Sequence, residues 1–331
     1  MNLPHTLTRL FSDKDITMSA SQLCVGDKVF PIIDDVVILL DPARYTPLVR
    51  AKLTGRSTAP SREKQASPFA EEIQSSFGSE WQQYNTILSE HKREFDMYFD
   101  CMDLSALQGK TVCDLGCGIG RWSYFIADRC DTIVLIDFSD AIFEARKNLS
   151  DKKNCLFFMA DIKDLPLREN SFDFVFSLGV LHHLPTNCID EVRRLAHYAP
   201  ILLIYLYYAL DNRPFYFRWI FGAVTAVRQV VSGIHNGFFR MAFAKLVCLT
   251  VYYPAILLGT FLSLFKLEKS VPLYEGYRGN SFKRIEQDVY DRFFTQIEQR
   301  VSKKEILSLK DTFSEIVVSD RLPYWHFICK R

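Results

Sequence analysis

The segment from Val112 to Gly120, with the sequence VCDLGCGIG, is the part of the chain best suited to holding a ligand. An apolar run ends in Asp114 and continues into a turn with glycine at 116, 118 and 120. Glycine adopts positive φ without steric cost, and it lets a ligand come close to the backbone. Where such a turn opens a helix, free backbone N–H groups point at the ligand. The segment therefore predicts a small-molecule site at a strand-to-helix turn.

Two classes of ligand use a turn of this kind, and the charge of Asp114 distinguishes them. A dinucleotide places its diphosphate on the helix N-terminus with the usual spacing GxGxxG, whereas the spacing here is GxGxG. A carboxylate at 114 would repel a diphosphate and attract a ligand that carries an ammonium group. S-adenosylmethionine has an ammonium, a sulfonium and no phosphate, so the charge favours this cofactor over NAD.

Further polar positions follow the next predicted strands. Asp137 ends the apolar run 133–137, about 20 residues past the glycine turn, where a carboxylate binds a ribose diol in NAD and S-adenosylmethionine sites alike. Asp161 follows the third strand and is placed to accept a hydrogen bond from an adenine amino group. Ser177 and Leu178 follow the fourth strand, beside the position of a reacting group.

These positions fall at the ends of strands that alternate with amphipathic helices, a pattern that predicts a parallel α/β sheet. The predicted strands are 111–115, 132–137, 154–159, 172–177 and 201–207, with a final pair at 315–319 and 325–329. Ser139 is predicted to cap the helix that carries Ile142, Ala145 and Leu149 on one face, and Ser302 to cap a helix near the C-terminus.

Four segments resemble the successive motifs of class I S-adenosylmethionine-dependent methyltransferases, in the same order and at the usual separations: VCDLGCGIGRWS, LIDFS, MADIKDLP and SFDFVFSLGVLHHL. The resemblance implies a Rossmann-like α/β fold that begins near Gly109 and reaches the C-terminus. It implies a sheet of seven strands, the last of them antiparallel. It also implies that S-adenosylmethionine is the cofactor and that its methyl group passes to an O, N or C nucleophile.

The resemblance also assigns residues to the parts of the cofactor. For the methionine end it implies the glycine turn: Asp114, Gly116, Cys117, Gly118 and Gly120. For the ribose it implies Asp137 and its neighbour Phe138. For the adenine it implies Ala160, Asp161 and Ile162, and for the methyl side Ser177 and Leu178.

Two adjacent histidines follow the fourth strand. His182 and His183 are of the residue type suited to a general base near neutral pH. The alternative is that one packs in the core and the other caps the following helix. Methyl transfer needs no base where the acceptor is already nucleophilic, because the sulfonium is an activated leaving group and in-line positioning supplies much of the catalysis.

Composition divides the rest of the chain into an extension, a linker, a core and an insertion. The predicted boundaries are 1–53 for a small β-rich extension, 54–70 for a linker, 71–105 for a helical lead-in or lid, 106–208 for the core, 209–285 for an apolar helical insertion and 286–331 for a C-terminal helix and strand pair. The extension, with a hairpin around Asp34 and Asp35, is similar to the zinc-ribbon module of some of these methyltransferases, and FGSEW at 77–81 resembles another of their segments. Cys24 is the only cysteine there, so no metal is expected.

The insertion contains the most apolar stretch of the chain. Residues 246–265 carry no charge over twenty positions, the length of a membrane span, with Pro254 in the middle as a helix break. We expect a lid or a membrane-surface element, with a true span as the alternative, and membrane contact would involve residues 211–266. Basic and aromatic residues such as Arg218 and Trp219 fit an interface helix or a site for an anionic substrate.

Composition also narrows the function classes. The 331 residues carry a net charge of +1, which gives no reason to expect a nucleic-acid partner. Nine cysteines without a CxxC pair, and an N-terminus without an apolar signal segment, indicate a cytoplasmic protein, with membrane association as the open alternative. The predicted function is S-adenosylmethionine-dependent methyl transfer to a small-molecule or lipid-like acceptor. The rival predictions are an NAD-dependent oxidoreductase and a non-catalytic scaffold of the same fold.

Overall fold

The computed structural model describes residues 3–11, 15–55, 85–234, 236–295 and 297–331. Most of the predicted linker 54–70 lies outside the described residues, and so do FGSEW and the first part of the predicted lead-in 71–105. The strands of the described part join in one sheet of eleven, in the order β1-β2-β3-β4-β7-β6-β5-β8-β9-β11-β10. Their bounds are β1 Ile16–Met18, β2 Gln22–Val25, β3 Lys28–Ile33, β4 Val36–Ile38, β5 Thr111–Leu115, β6 Thr132–Asp137, β7 Cys155–Met159, β8 Phe174–Leu178, β9 Ile201–Tyr205, β10 Glu315–Val318 and β11 His326–Lys330.

The seven strands that the sequence predicts are present as β5 to β11. Strands β7, β6, β5, β8 and β9 run parallel to one another. Strand β11 is antiparallel to both of its neighbours, β9 and β10. The antiparallel last strand is therefore confirmed, and the bounds of β5 and β6 agree with the prediction residue for residue.

The N-terminal extension adds four strands to this sheet, which raises the count from seven to eleven. Strand β4 pairs in parallel with β7, with Val36 opposite Phe157, and so continues the sheet past its predicted edge. The hairpin between β3 and β4 turns at Asp34 and Asp35, whose φ values are 49° and 63°. This is the left-handed conformation of tight hairpin turns, which Asp tolerates better than most residues.

Helices pack on both faces of the sheet. Strand β6 shows the layering, because Val134 and Ile136 join one core cluster while Ile133 and Leu135 join the other. A strand buried on both faces is typical of a parallel sheet. The helices are α1 Leu3–Leu10, α2 Pro47–Thr54, α3 Glu90–Tyr98, α4 Ser123–Ile126, α5 Ala141–Asn148, α6 Cys188–Leu195, α7 Phe215–Val231, α8 Gly237–Ser263, α9 Tyr274–Tyr277, α10 Phe282–Phe294 and α11 Lys303–Leu307.

The two predicted helix caps differ in outcome. Ser302 caps α11 in a capping box, in which its hydroxyl accepts from the N–H of Glu305 and the Glu305 carboxylate accepts from the N–H of Ser302. Helix α5 has Asp140 at its cap position instead of Ser139. Ser139 lies one residue earlier, but its hydroxyl makes the capping contact: it accepts from the N–H of Ala141, the first residue of α5, at 3.3 Å and donates to Asp137 at 2.7 Å.

Helix α8 is a continuous 27-residue helix, long and apolar enough to cross a membrane. Its residues Cys248–Tyr252 form a π turn immediately before the turn that contains Pro254. Proline lacks an N–H and its ring clashes with the carbonyl four residues earlier, and the wider π turn accommodates both effects. The structure therefore corrects the expectation that Pro254 breaks this segment.

The insertion is a packed layer with its own apolar core. Side chains of α7, α8 and α10 meet there, among them Val231, Ala244, Cys248, Ile285 and Val289. Because α10 carries the chain back to β10 and β11, this layer is fixed to the sheet at both of its ends. It lies where the ends of the central strands are open, and this position defines the site.

Candidate active site

A cavity of about 1210 Å³ lies between the carboxyl ends of the central strands and the helices of the insertion. Its wall includes Gly116 after β5, Asp137 at the end of β6, Leu178 at the end of β8 and Tyr205 at the end of β9. The carboxyl edge of a parallel sheet is where ligands bind in doubly wound folds. The cavity is therefore the candidate site.

The glycine turn has the backbone that the sequence predicts. Gly116, Gly118 and Gly120 have φ values of 81°, 53° and 76°. A β-carbon at Gly116 would lie 2.5 Å from a methyl carbon of Val180, and one at Gly120 would lie 2.6 Å from a methyl carbon of Leu149. Gly116 and Gly118 line the cavity, whereas Gly120 lets α5 pack closely behind the turn.

Asp137 fixes this turn and faces the cavity at the same time. One carboxylate oxygen accepts from the N–H of Gly118 at 2.8 Å. The other accepts from the N–H and the hydroxyl of Ser139 at 2.8 and 2.7 Å. Burial raises the pKa of Asp137, and these hydrogen bonds act against the shift. The oxygen bonded to Gly118 retains a lone pair, so the carboxylate can still accept from a ligand hydroxyl.

Asp114 is buried behind the turn and does not line the cavity. Its carboxylate accepts from the Ser123 hydroxyl at 2.6 Å. Burial raises the pKa of Asp114 to about 7; the Ser123 hydrogen bond opposes this shift and the charge of Asp137 adds to it. Asp114 therefore lies behind the cavity wall in this structure, and its contact with a ligand ammonium group stays a prediction.

The N-terminal extension meets the predicted adenine residues at the end of β7. Asp161 and Ile162 line the cavity, while Ala160 is buried in the core. The guanidinium of Arg44 lies 2.5 Å from the Asp161 carboxylate and 5.0 Å from the centre of the Phe138 ring. Sequence reasoning misses Arg44, because its partner is 117 positions away and no local motif marks the pair.

The residues at the end of β8 and just after it divide between the core and the wall. Ser177 is buried and donates its hydroxyl to the carbonyl of Leu115 at 2.8 Å, so it ties β8 to β5 and does not line the cavity. Leu178, Gly179 and Val180 do line it. The predicted role of Ser177 in lining this side of the site therefore falls to the residues that follow it.

His182 packs in the core, which corrects its candidacy as a general base. Its side chain is fully buried, and the centre of its ring lies 3.9 Å from that of Tyr207. Neither ring nitrogen has a hydrogen-bond partner among the described residues. Burial lowers the pKa of His182 well below its ordinary value. His182 does not line the cavity.

His183 lines the cavity and remains the candidate base. Its Nδ1 lies 2.7 Å from the carbonyl oxygen of Ile297, a group that only accepts. Nδ1 therefore carries the proton in the neutral ring, and Nε2 is the basic nitrogen.

The part of the wall that belongs to the insertion is mostly apolar. Helix α7 contributes Phe217 and Val224, and α8 contributes Val247 and Val251. Polar groups lie between this half and the sheet. The Tyr207 hydroxyl donates to Asp291 at 3.0 Å. Sequence reasoning proposes the insertion as the acceptor pocket but misses Tyr207, because its partner lies 84 positions later.

In all, nine predicted site residues line the cavity: Gly116, Cys117, Gly118, Asp137, Phe138, Asp161, Ile162, Leu178 and His183. Five lie behind its wall: Asp114, Gly120, Ala160, Ser177 and His182. The binding roles of the first group stay predictions.

Comparison with known proteins gives a family match over the centre of the chain. A family model described as "Methyltransferase domain" matches residues 112–198, which contain all four motif segments. The chain is 34% identical over 96 residues to phosphoethanolamine N-methyltransferase 1 of Triticum aestivum, a match that covers 28% of this chain and 19% of that enzyme. It is 27% identical over 136 residues to ubiquinone biosynthesis O-methyltransferase of Coxiella burnetii, covering 39% of this chain and 56% of that enzyme.

A solved structure, magnesium protoporphyrin IX methyltransferase of Synechocystis PCC 6803 with bound S-adenosylmethionine, is 22% identical with a TM-score of 0.37, over 49% of this chain and 88% of that one. The chain spans less than a fifth of the Triticum enzyme and little more than half of the Coxiella enzyme. Over residues 112–198 the chain is therefore similar to methyltransferase domains. This likeness, the Rossmann-like sheet and S-adenosylmethionine as the cofactor agree with what the four motifs predict, while the likeness to a zinc ribbon stays a prediction.

Proposed function

We propose that this protein transfers a methyl group from S-adenosylmethionine to a small, lipid-like acceptor held under the insertion. One observation supports the proposal most: the glycine turn and Asp137 share a single cavity with the apolar side chains of α7 and α8. A donor held at the turn and an acceptor held by the helices would then face each other in one enclosed space. Methyl transfer requires this proximity.

The donor half of the cavity fits the three parts of the cofactor. Asp137 offers the remaining lone pair of its Gly118-bonded oxygen to a ribose hydroxyl. Arg121 follows the glycine turn on the cavity wall and offers a positive charge to the carboxylate of the methionine end. Phe138, with Arg44 against its ring, offers a flat surface to the adenine. Asp161 and Ile162 lie beside that surface.

The chemistry is a displacement at carbon. Bound S-adenosylmethionine supplies an electrophilic methyl group on a sulfonium. The cavity walls orient the acceptor so that its lone pair meets the methyl carbon opposite the carbon–sulfur bond, whose electron pair passes to sulfur as the new bond forms. An acceptor that carries a proton on O or N gives it up to a base, and His183 Nε2 is the candidate on the wall.

The apolar wall favours a lipid-like acceptor over a small polar one. Relatives act on both kinds, to judge from the phosphoethanolamine enzyme and the ubiquinone biosynthesis enzyme. In this chain, Phe217, Val224, Val247 and Val251 line the acceptor half. Burial of apolar acceptor surface against these side chains would contribute about 25 cal/mol per Å².

A titration and a product search test this function. Calorimetric titration with S-adenosylmethionine, and separately with NAD, identifies the cofactor. Incubation of the protein with S-adenosylmethionine and fractionated cell lipids, followed by mass spectrometry, should show S-adenosylhomocysteine and a lipid that has gained one methyl group. Binding of NAD alone would contradict the proposal, and binding of S-adenosylmethionine without product on any fraction would favour the non-catalytic scaffold.

A further inference from the structure

We propose that the outer face of α7 and α8 docks on an anionic phospholipid bilayer and that the cavity opens towards that bilayer. The docking of this face does not depend on the proposed function, whereas the delivery of an acceptor through it rests on the proposed function. Four observations lead to this proposal: the exposed apolar side chains, the way α8 packs, the charge of the segment and the position of the cavity mouth.

The exposed apolar side chains of this protein are concentrated on the insertion. Of the 21 large apolar side chains that are exposed in the described residues, 16 lie between residues 215 and 267. We call the following set the docking face: Phe215, Trp219, Val230, Phe238, Leu246, Leu249, Leu257 and Phe261. Scattered exposed apolar residues are ordinary, but a contiguous set on two helices marks an interaction surface.

Helix α8 lies along the protein and not across a membrane. Its buried residues Arg240, Ala244, Cys248, Tyr252 and Gly259 recur along one side. Several of them pack in the core that α8 shares with α10. The opposite side carries the docking face, and only 17% of the most apolar 18-residue window is buried. A helix packed on its domain along most of its length would have to leave this core in order to span a bilayer, so its geometry fits a helix lying in the membrane surface.

The charge of the segment indicates what kind of surface covers it. Residues 212–267 contain six Lys and Arg and no Asp or Glu. Three of the basic side chains, Arg218, Lys245 and Lys266, are exposed at the edges of the apolar face. Basic side chains around an apolar helical face are typical of binding to anionic headgroups.

The mouth of the cavity opens beside the docking face, among other exposed residues of the same two helices. Ile220 and Val227 of α7, and Val251 and Leu258 of α8, all line the cavity and are all exposed to solvent. The opening therefore lies between the two helices. A protein partner on this face would close it, whereas a bilayer would leave it open to an apolar acceptor that moves sideways out of the lipid.

Vesicle flotation with the full chain, without cofactor, tests the docking. Wild-type protein should float with vesicles of phosphatidylcholine containing phosphatidylserine, and less with phosphatidylcholine alone. The double variant Leu249→Asp, Leu257→Asp changes two side chains that are 60% and 68% exposed and do not line the cavity. We expect its flotation to fall by about tenfold or more, because two apolar contacts with lipid are replaced by charges that repel it.

The matched control is the double variant Val29→Asp, Leu53→Asp, at positions 60% and 44% exposed on β3 and α2. It should float like the wild type, and circular dichroism and S-adenosylmethionine titration should be unchanged in both variants. The proposal would be overturned if the wild type did not float, or if the Leu249 and Leu257 variant floated as well as the wild type. It would also be overturned if the bound protein resisted extraction with alkaline carbonate, because such resistance marks a membrane-spanning protein. A lipid-free dimer that this variant abolishes would overturn it as well. Flotation does not depend on catalysis, so a failed methyl-transfer assay leaves its result intact.

Discussion

Asp137 has two tasks at the residue scale, since it accepts from the backbone of the glycine turn and also faces the cavity. Replacement by alanine removes the acceptors for a ribose diol. We expect Asp137→Ala to weaken S-adenosylmethionine binding by about 1–3 kcal/mol, the range for hydrogen bonds to a charged group. Calorimetric titration measures the change.

Asp173 provides the control for this variant. Its carboxylate also accepts from a backbone N–H, that of Thr111 at 2.8 Å, but at the opposite end of β5. Asp173→Ala should lower the thermal midpoint and leave the affinity unchanged. Unchanged affinity in Asp137→Ala would contradict the ribose assignment.

Asp114 predicts a pH dependence of stability. The pKa of its carboxyl group is 3.8 in an unfolded chain and about 7 in the folded protein. Between these values the folded state binds a proton that the unfolded state has lost. The contribution of this group to stability therefore falls as pH rises, by at most about 1.4 kcal/mol per pH unit, and becomes constant above its folded pKa.

Asp114→Asn keeps an acceptor for the Ser123 hydroxyl and removes the titration. Urea unfolding at about pH 5 and pH 7 should show a smaller loss of stability in the variant than in the wild type over this interval. The same loss in both proteins would mean that Asp114 does not titrate in that window.

The sequence predicts residues of this site where the relevant contacts are local. The glycine turn and Asp137 belong to strand ends that a short pattern reveals. The roles of Arg44 and Tyr207 could not be predicted from the sequence. Their partners, Asp161 and Asp291, lie 117 and 84 positions away. Asp114 was predicted as a ligand because its charge is visible in the sequence, whereas its burial is not.

At the scale of the element, α8 makes a close backbone contact through Gly259. A β-carbon there would lie 2.2 Å from a ring carbon of Tyr274 and 2.8 Å from its β-carbon. Alanine favours a helix by about 1 kcal/mol over glycine, but the clash forces α8 and α9 apart. We expect Gly259→Ala to lower the free energy of unfolding by about 1–3 kcal/mol, as measured by urea unfolding.

Gly222 of α7 is the matched position. Nothing lies within 4 Å of a β-carbon built there. Gly222→Ala should raise stability by up to about 1 kcal/mol, since only helix propensity changes. A stabilised Gly259→Ala would show that α8 does not pack on Tyr274 as described.

The π turn in α8 shows why element boundaries were harder to predict than elements. The twenty uncharged residues predict an apolar helical segment, and the helix is there. Whether Pro254 ends the helix depends on the backbone of Cys248–Tyr252, which widens to remove the clash. No residue type within that turn signals the widening.

At the scale of the whole molecule, the extension and the donor half of the site form one unit. Arg44 comes from the extension and reaches Asp161 and Phe138 beside the cavity. We expect Arg44→Ala to weaken S-adenosylmethionine binding by about 1 kcal/mol, because the ring loses the cation against it and Asp161 loses the partner that orients it. Titration calorimetry measures this.

Lys52→Ala is the control, since Lys52 belongs to the same extension and pairs with the exposed Asp34. The affinity of the Lys52→Ala variant for S-adenosylmethionine should equal that of the wild type, because most surface substitutions have little effect. Equal affinity in both variants would show that the extension contributes no residue to the donor site.

The pairing of β4 with β7 can form only after β7 has been synthesised, long after β4 itself. Val36 leaves the ribosome roughly 120 residues before its partner Phe157, a delay of about 6 to 24 seconds at ordinary rates of translation. Until then the hairpins present β4, an edge of three apolar residues that are buried in the finished sheet. During this interval β4 has to be kept from pairing with other chains, either by the extension itself or by a chaperone. The part of the chain that is synthesised first is therefore among the last to complete its pairing in the sheet.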